Sequence, residues 1–177
     1  MRKLLLGLSA AILVATSAWA ALPVGARAPD FVTQGALAGK PFRLHLREQL
    51  RHGPVVLYFF PKAFTKGCTL EAHAFSDAAA DFKKLGARVI GMSRDDLPTL
   101  KRFSVEECRN AFPVATATAT TAKAYGVAWA EHPELTTRTS YVIDRHGRIV
   151  VVHDDFDYSQ HVALTLAAVR ALRAKRR

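Results

Sequence analysis

Residues 55–69 of this 177-residue chain read Val-Val-Leu-Tyr-Phe-Phe-Pro-Lys-Ala-Phe-Thr-Lys-Gly-Cys-Thr. The first six form a continuous apolar run that predicts a fully buried strand, and a helical pattern opens at Thr69. The stretch therefore delivers Cys68 to a loop-to-helix junction beyond the carboxyl end of a core strand. Backbone N–H groups and the positive end of a helix dipole stabilise an anion at such a place. Because a thiol there ionises more easily and the thiolate is the reactive form, the stretch indicates a sulfur nucleophile.

Strand and helix patterns alternate along the rest of the chain. Residues 69–85 read as a helix with Gly86 suited to its end, and residues 87–92 read as the next buried strand. A helix from about Leu97 to Arg109 follows and carries Cys108. The remaining predicted elements are an extended lead-in at 24–31, a half-exposed strand at 42–46, a short extended piece at 112–114, a weak helix at 120–125, strands at 139–143 and 148–152 joined by a turn at 144–147, and an amphipathic helix through 162–172.

This order of elements predicts one α/β domain with a mixed central sheet and helices on both faces. Parallel strands that are joined through a helix cross over right-handedly, which limits the possible topologies. The arrangement resembles the thioredoxin-like fold. That resemblance implies an active site between the first central strand and the helix after it, where Cys68 lies.

The first twenty residues predict a secretory signal peptide. Arg2 and Lys3 form a positive start, residues 4–17 are apolar or small, and Ala18-Trp19-Ala20 supplies a small-x-small cleavage pattern. An uncleaved membrane anchor is the alternative, but the apolar run is shorter than the ~20 residues that a span requires. We therefore expect cleavage after residue 20, a single domain over residues 21–177, a periplasmic or secreted location and no stable membrane insertion.

The chain carries a formal net charge of +10, and its basic residues are scattered except in the C-terminal tail. Such an excess attracts nucleic acid or an anionic membrane surface. The alternative is a solvated helix end, where cations interact favourably with the helix dipole. Since an exported protein rarely meets nucleic acid, the second interpretation is favoured and no nucleic-acid partner is expected. The basic residues of the tail are Arg170, Arg173, Lys175, Arg176 and Arg177.

The seven histidines lack the spacing of a metal-ligand set. Three aspartates, Asp154, Asp155 and Asp157, lie near His153, but such a cluster is more often a solvated loop before a helix. No glycine-rich phosphate loop or nucleotide fingerprint is present in the sequence. We therefore expect no metal and no cofactor.

Residues 58–72 match the Pro-x-x-x-Thr-x-x-Cys signature of peroxiredoxins, and in particular resemble the Q type, also called bacterioferritin comigratory protein. The lead-in at residues 25–31 is similar to the opening of that family. So are residues 138–144, which Gly147 follows. The resemblance implies an exported thiol peroxidase that reduces hydrogen peroxide or organic hydroperoxides without a cofactor, because sulfur performs the redox chemistry.

The resemblance also implies a role for each matched residue. Cys68 would be the peroxidatic cysteine, whose thiolate attacks the O–O bond and becomes a sulfenic acid. Thr65 would hydrogen-bond the peroxide and the thiolate, Pro61 would shield the sulfur from water, and Arg138 would place its guanidinium beside Cys68. Taken singly, Thr65 also suits a helix N-cap, Pro61 the end of a strand and Arg138 an exposed surface.

The second cysteine departs from the pattern of many Q-type relatives, which have a resolving cysteine five residues after the first. That position is His73 here. Another group of relatives places the resolving cysteine where Cys108 lies, so we expect Cys108 to close an intramolecular disulfide with Cys68 after local unwinding. The alternative is a one-cysteine enzyme in which Cys108 is a buried small hydrophobe. The implied partners are a hydroperoxide and a thioredoxin-like or other dithiol reductant, and the implied state is a monomer.

Two other functions remain open from the sequence. An exported thiol–disulfide oxidoreductase shares the fold but normally carries Cys-x-x-Cys, whereas position 65 holds threonine. A redox-inert thioredoxin-like binding module would use Cys68 and Cys108 as a structural staple. The set of Thr65, Cys68 and Arg138 argues against that module.

Overall fold

The structure is a computed structural model that describes residues 20–175, so the predicted signal peptide lies, apart from Ala20, outside the described residues. Among residues 20–175, no helix combines the length and the apolar character that a membrane span needs. The elements are β1 (Val32–Leu37), β2 (Lys40–His45), α1 (Leu46–Leu50), β3 (Val55–Phe59), α2 (Lys66–Lys84), β4 (Arg88–Ser93), α3 (Leu97–Glu106), β5 (Val114–Thr116), α4 (Ala119–Ala124), β6 (Thr139–Ile143), β7 (Ile149–Asp154) and α5 (His161–Ala174), with a short 3-10 turn at Tyr158–Gln160.

The strands form one mixed sheet in the order β2-β1-β5-β4-β3-β6-β7. Strand β3 pairs parallel with β4 and antiparallel with β6, and β4 pairs parallel with β5. The parallel pairs are connected through α2 and α3, as parallel strands require a crossover. The predicted α/β architecture with a mixed sheet is confirmed.

Strand β3 separates two hydrophobic cores because successive side chains of a strand point to opposite faces. Val56, Tyr58 and the following Phe60 lie in the core under α2, α3 and α5. The alternate residues Val55, Leu57 and Phe59 lie in the core under α1 and α4. All five residues of β3 are buried, which explains why its sequence is a continuous apolar run.

The hairpin of β1 and β2 is longer than the sequence indicated. Its turn uses Ala38 at φ 49° and Gly39 at φ 74°, and alanine in the left-handed region gives no recognisable turn signal. Gly35 interrupts the strand pattern of β1, yet a side chain there would lie 2.9 Å from the Val114 carbonyl oxygen. The glycine is therefore needed for close pairing with β5, although it hides the strand from pattern analysis.

Two helix boundaries differ from the predictions, and both affect cysteines. Helix α2 begins at Lys66 rather than Thr69, so Cys68 is inside its first turn. Helix α3 ends at Glu106, so Cys108 lies in the turn after the helix and not on it. The amide of Cys108 bonds to the Phe103 carbonyl, and Arg109 then takes a left-handed conformation. This is the geometry of a helix C-terminus, which no glycine signals here.

Candidate active site

Cys68 lies where the chain leaves the sheet and enters α2. Strand β3 ends at Phe59, and Pro61 stops further pairing because it has no N–H to donate. Thr65 takes the N-cap position, and Cys68 follows as the third residue of the helix. Only 1% of Cys68 is exposed. The sulfur therefore sits in a dry site near the positive end of α2.

The loop between β3 and α2 is held from both sides. The amide of Ala63 donates to Oδ2 of Asp95 at 2.8 Å, and this carboxylate also accepts from the Ser93 hydroxyl at 2.7 Å. On the opposite side, the Thr136 hydroxyl donates to the Phe60 carbonyl at 2.9 Å. These contacts tie the loop to the ends of neighbouring strands, so the position of Cys68 is fixed by the sheet.

Arg138 reaches the same edge of the sheet from β6. Thr139 pairs with Phe59, so the residue before it falls beside the end of β3. Nη2 of Arg138 lies 3.5 Å from Sγ of Cys68, and only 5% of the arginine is exposed. Gly67 makes room for this approach, because a Cβ there would lie 3.1 Å from Nη2. The predicted proximity of Arg138 to Cys68 is present in the structure.

The guanidinium of Arg138 is oriented by two further partners. Its Nε donates to the Phe156 carbonyl at 2.9 Å, and its Nη1 donates to the Glu71 carboxyl. Burial alone would lower the pKa of Arg138, but the charges of Glu71 and Cys68 outweigh burial and raise it. The arginine therefore stays cationic in a site from which water is largely excluded.

Glu71 is a site residue that the sequence analysis missed. It is completely buried, three residues after Cys68 and therefore on the same face of α2. Burial raises the pKa of Glu71 to about 8, although Arg138 opposes the shift. The only available signal was this spacing from Cys68, and a glutamate in an amphipathic helix normally indicates the solvent face.

Thr65 and Pro61 border the site. Thr65 is exposed, and its hydroxyl donates to the Lys62 carbonyl at 2.9 Å. Thr65 does occupy the N-cap position, but its side chain makes no capping hydrogen bond. Pro61 is half-buried directly after the strand end. Both residues belong to the segment that leads from β3 to Cys68, whereas Arg138 contacts the sulfur directly.

Cys108, in the turn after α3, is completely buried against a later part of α2. Its carbonyl accepts from the Ser76 hydroxyl at 2.9 Å, and the adjacent Glu107 pairs with His73 at 2.8 Å. Ser76 follows Cys68 by eight residues, which is ~12 Å along a helix. Both cysteines are free. Burial, with a smaller effect of Glu107, raises the pKa of the Cys108 thiol well above its usual range, so this thiol is neutral in the folded state.

Comparison with known proteins identifies the family. The sequence model of the AhpC/TSA family matches residues 24–152. The chain belongs to the AhpC/TSA family. It is 32% identical over 149 residues to peroxiredoxin Q of rice chloroplasts (Oryza sativa subsp. japonica), covering 84% of this chain and 67% of that protein. It is 35% identical over 113 residues to peroxiredoxin Bcp of Escherichia coli, covering 60% of this chain and 72% of that one.

A solved structure supports this assignment. The crystal structure of peroxidoxin BcpB from Mycobacterium tuberculosis matches with a TM-score of 0.73 and 34% identity, covering 84% of this chain and 97% of that one. The predicted resemblance to Q-type peroxiredoxins and the thioredoxin-like fold are confirmed, and the protein is a thiol-dependent peroxidase. The alternatives of a thiol–disulfide oxidoreductase and of a redox-inert module are therefore disfavoured.

Proposed function

We propose that this AhpC/TSA protein reduces hydroperoxides at Cys68. The observation that carries the proposal is the 3.5 Å contact between Arg138 Nη2 and Cys68 Sγ, buried in the first turn of α2. In the reaction, the Cys68 thiolate attacks the terminal oxygen of the hydroperoxide and the O–O bond breaks. The sulfur becomes a sulfenic acid, and the alkoxide or hydroxide that leaves takes up a proton to form an alcohol or water. Peroxide consumption by a Cys68→Ser variant tests this step.

The surrounding groups suit the charge changes of this step. Negative charge moves from sulfur to the leaving oxygen, and a fixed guanidinium and backbone N–H groups stabilise charge where it develops. Arg138 is held by three contacts, so it needs no reorganisation during the reaction. The Thr65 hydroxyl lies at the exposed rim, where it can turn from the Lys62 carbonyl to a peroxide oxygen. Pro61 limits the access of water to the sulfur.

Cys108 would resolve the sulfenic acid by attacking Cys68 and releasing water. Cys68 lies in the first turn of α2, whereas the Cys108 carbonyl accepts from Ser76, two turns further along. The first turns of α2 and the segment after α3 must therefore open before a disulfide can form. Three side-chain contacts join the Cys108 segment to α2: Ser76 with Cys108, His73 with Glu107, and Asp77 with Arg109. The exposed ion pair of Asp77 and Arg109 contributes only ~0–1 kcal/mol, so the cost of opening comes mainly from the backbone hydrogen bonds to Phe103 and from exposing the buried Cys108. A dithiol reductant such as a thioredoxin-like protein would then reduce the disulfide.

Substitution of Cys108 by serine separates the two steps. We expect one equivalent of peroxide to oxidise Cys68 at a rate within about twofold of the parent, because Cys108 does not touch the site. Turnover with a dithiol reductant should fall at least about tenfold, because no internal disulfide forms. Stopped-flow fluorescence measures the rate of Cys68 oxidation, and peptide mass spectrometry shows whether an internal disulfide forms. Unchanged turnover, with no Cys68–Cys108 disulfide in the oxidised parent, would show a one-cysteine enzyme.

We also infer export to the periplasm or the medium, with cleavage after residue 20. The support is the basic start, the apolar run and the Ala18-Trp19-Ala20 pattern. In addition, Ala21 and Leu22 already pack against the core under α1 and α4, and the Leu22 amide donates to the Tyr141 hydroxyl at 3.1 Å. The residues that would open the mature chain are thus part of the packed domain.

N-terminal sequencing of the protein from its native cells tests this inference. We expect the mature chain to start at about residue 21 and to be recovered from the periplasmic or extracellular fraction. A chain that retains Met1 and remains in the cytosol would contradict export. The monomeric state and the absence of a nucleic-acid partner stay predictions.

A further inference from the structure

A groove of about 980 Å³ lies at the end of the sheet opposite to Cys68. Arg88, the first residue of β4, and Pro113, directly before β5, are among the residues that line it. Because β3, β4 and β5 run parallel, the starts of β4 and β5 are far from the carboxyl end of β3, which Cys68 follows. Small-molecule sites have volumes of ~300–1,000 Å³. The groove is therefore large enough for a ligand and is separate from the peroxide site.

The surface of the groove is mainly apolar. Three parts of the chain form its walls: the second half of α2, the hairpin of β1 and β2, and the segment that follows Cys108. Leu37 on the hairpin is 40% exposed, although leucine is favoured in a buried position. The groove can therefore hold an apolar chain, whose burial would be favourable. The larger apolar residues that line it include Leu37, Phe42, Phe82, Phe112 and Pro113.

The charged side chains of the groove are all basic. Lys40 comes from the hairpin, Lys83 from α2 and Arg88 from β4, and His52 adds an imidazole. No aspartate or glutamate of the described residues lines the groove. Within residues 20–175, Lys40 and Lys83 have no ion-pair partner, and Arg88 donates to the neutral Gln49 side chain at 2.7 Å. An apolar surface and uncompensated positive charge thus occur in one place.

We propose that this groove binds the anion of a long-chain fatty acid. The acyl chain covers the apolar side chains, and the carboxylate pairs with one of the exposed cations. A second copy of this chain fits poorly, because the chain carries a net charge of +10 and like charges oppose association. A neutral apolar partner fits poorly as well, because it would bury Lys40 and Lys83 without a counter-charge.

A bound fatty acid also affects the segment that carries Cys108. Ser76 lines the groove and donates to the Cys108 carbonyl at 2.9 Å. The amide of Ala111, which lines the groove from the other side of that carbonyl, donates to it at 2.8 Å. A ligand between α2 and this segment binds the closed form and not the open one, so it stabilises the closed form. This consequence rests on the proposed resolving role of Cys108: fatty acid slows disulfide formation and leaves the oxidation of Cys68 unchanged.

Titration calorimetry with dodecanoate, below its micelle concentration, tests the binding on the full chain. Butyrate has the same head group with a short chain, and dodecyltrimethylammonium has the same chain with the opposite charge. We expect dodecanoate to bind at least about tenfold more tightly than either of them, because both the chain and the charge are recognised. Equal affinity for the cationic amphiphile, or no binding of dodecanoate, would overturn the proposal.

Two charge-reversal variants locate the site. Lys40→Glu/Lys83→Glu should weaken dodecanoate binding at least about fivefold, because two cations of the groove become anions. Lys84→Glu/Lys101→Glu changes the net charge equally at exposed lysines outside the groove, so it should bind within about twofold of the parent. An equal loss in both double variants would refute the assignment to this groove.

Filling the groove is a second way to block it. Ala79 is half-buried in its lining, and Ala79→Phe should lower the affinity for dodecanoate at least about tenfold by occupying the space of the chain. The lysine variants keep the test valid if Ala79→Phe fails to fold. Sedimentation velocity of the parent and Ala79→Phe tests the other occupant. A dimer that this substitution abolishes would show that a second copy covers the groove, and the proposal would be wrong.

Quenched-flow peptide mass spectrometry measures the effect on resolution. With dodecanoate at several times its Kd, Cys68–Cys108 disulfide formation should slow at least about threefold after one equivalent of hydrogen peroxide. Oxidation of Cys68 should change less than about twofold, and Lys40→Glu/Lys83→Glu should show no slowing at the same concentration. An unchanged disulfide rate in the dodecanoate-bound parent would contradict the coupling. If Cys68→Ser still consumes peroxide while dodecanoate binds as expected, the role of Cys68 fails and the fatty-acid site stands.

Discussion

Replacing Cys68 by serine is expected to lower peroxide consumption by at least about 10³-fold, the largest effect of any single substitution in this protein. A serine hydroxyl at the same place is a far weaker nucleophile than a thiolate and cannot form a sulfenic acid. Because Cys68 is buried and close in size to serine, the fold should remain intact. Peroxide consumption with a dithiol reductant, measured beside circular dichroism, checks both statements.

The matched control for this substitution is Cys108→Ser, which removes the other buried thiol. That variant should still reduce one equivalent of peroxide at nearly the parent rate. Peroxide consumption by Cys68→Ser as fast as by the parent, or loss of the first step in Cys108→Ser alone, would contradict Cys68 as the reacting residue. The proposed assignment would then be wrong.

Replacing Arg138 by methionine is expected to slow the oxidation of Cys68 by about 10²–10³-fold, the range found when one preorganised donor is removed from a reacting centre. Methionine keeps an apolar stem but removes the contacts to Cys68, Glu71 and the Phe156 carbonyl. The loss also leaves Oε2 of Glu71 buried without its donor. The free energy of unfolding should therefore fall by about 1–3 kcal/mol.

Two further variants test whether the rate loss comes from the contact between Arg138 and Cys68 or from the removal of a positive charge in general. Arg102 lies over the ring of Phe64, whose centroid is 5.0 Å away, and pairs with Glu106 at 3.3 Å in an exposed position. Arg102→Met should change the rate less than about threefold, because exposed charges act weakly. Arg138→Lys keeps the charge but not the planar fork, so it should recover only part of the rate. A rate loss in Arg102→Met equal to that in Arg138→Met would contradict a specific role for Arg138.

The central part of the fold was predictable because its sequence is locally unambiguous. The apolar run of β3, the helical spacing of α2 and the order of the following elements led to the observed mixed sheet. The β1–β2 hairpin was not predictable in detail, because its turn places Ala38, a residue that does not signal a turn, in the left-handed region beside Gly39. The end of α3 was misplaced for a similar reason, and with it the setting of Cys108.

Only part of the candidate site could be predicted from the sequence. Cys68 and Arg138 are separated by 70 residues in the sequence. The family resemblance predicted that they lie close together, and the pairing of β3 with β6 explains why they do. Glu71 gave no comparable signal, because the burial of a single carboxyl depends on how α5 packs against α2 and β6. Helical spacing identifies a face, but tertiary packing decides whether a charged residue on it is buried.

The most direct test of Cys68 as the peroxide-reducing residue is the location of the first oxidised sulfur. Reduced Cys108→Ser protein would receive one equivalent of hydrogen peroxide in the presence of a nucleophile that captures sulfenic acid, followed by peptide mass spectrometry. We expect the captured adduct on Cys68 in proportion to the peroxide consumed. Peroxide consumption that leaves Cys68 as a free thiol would contradict the account.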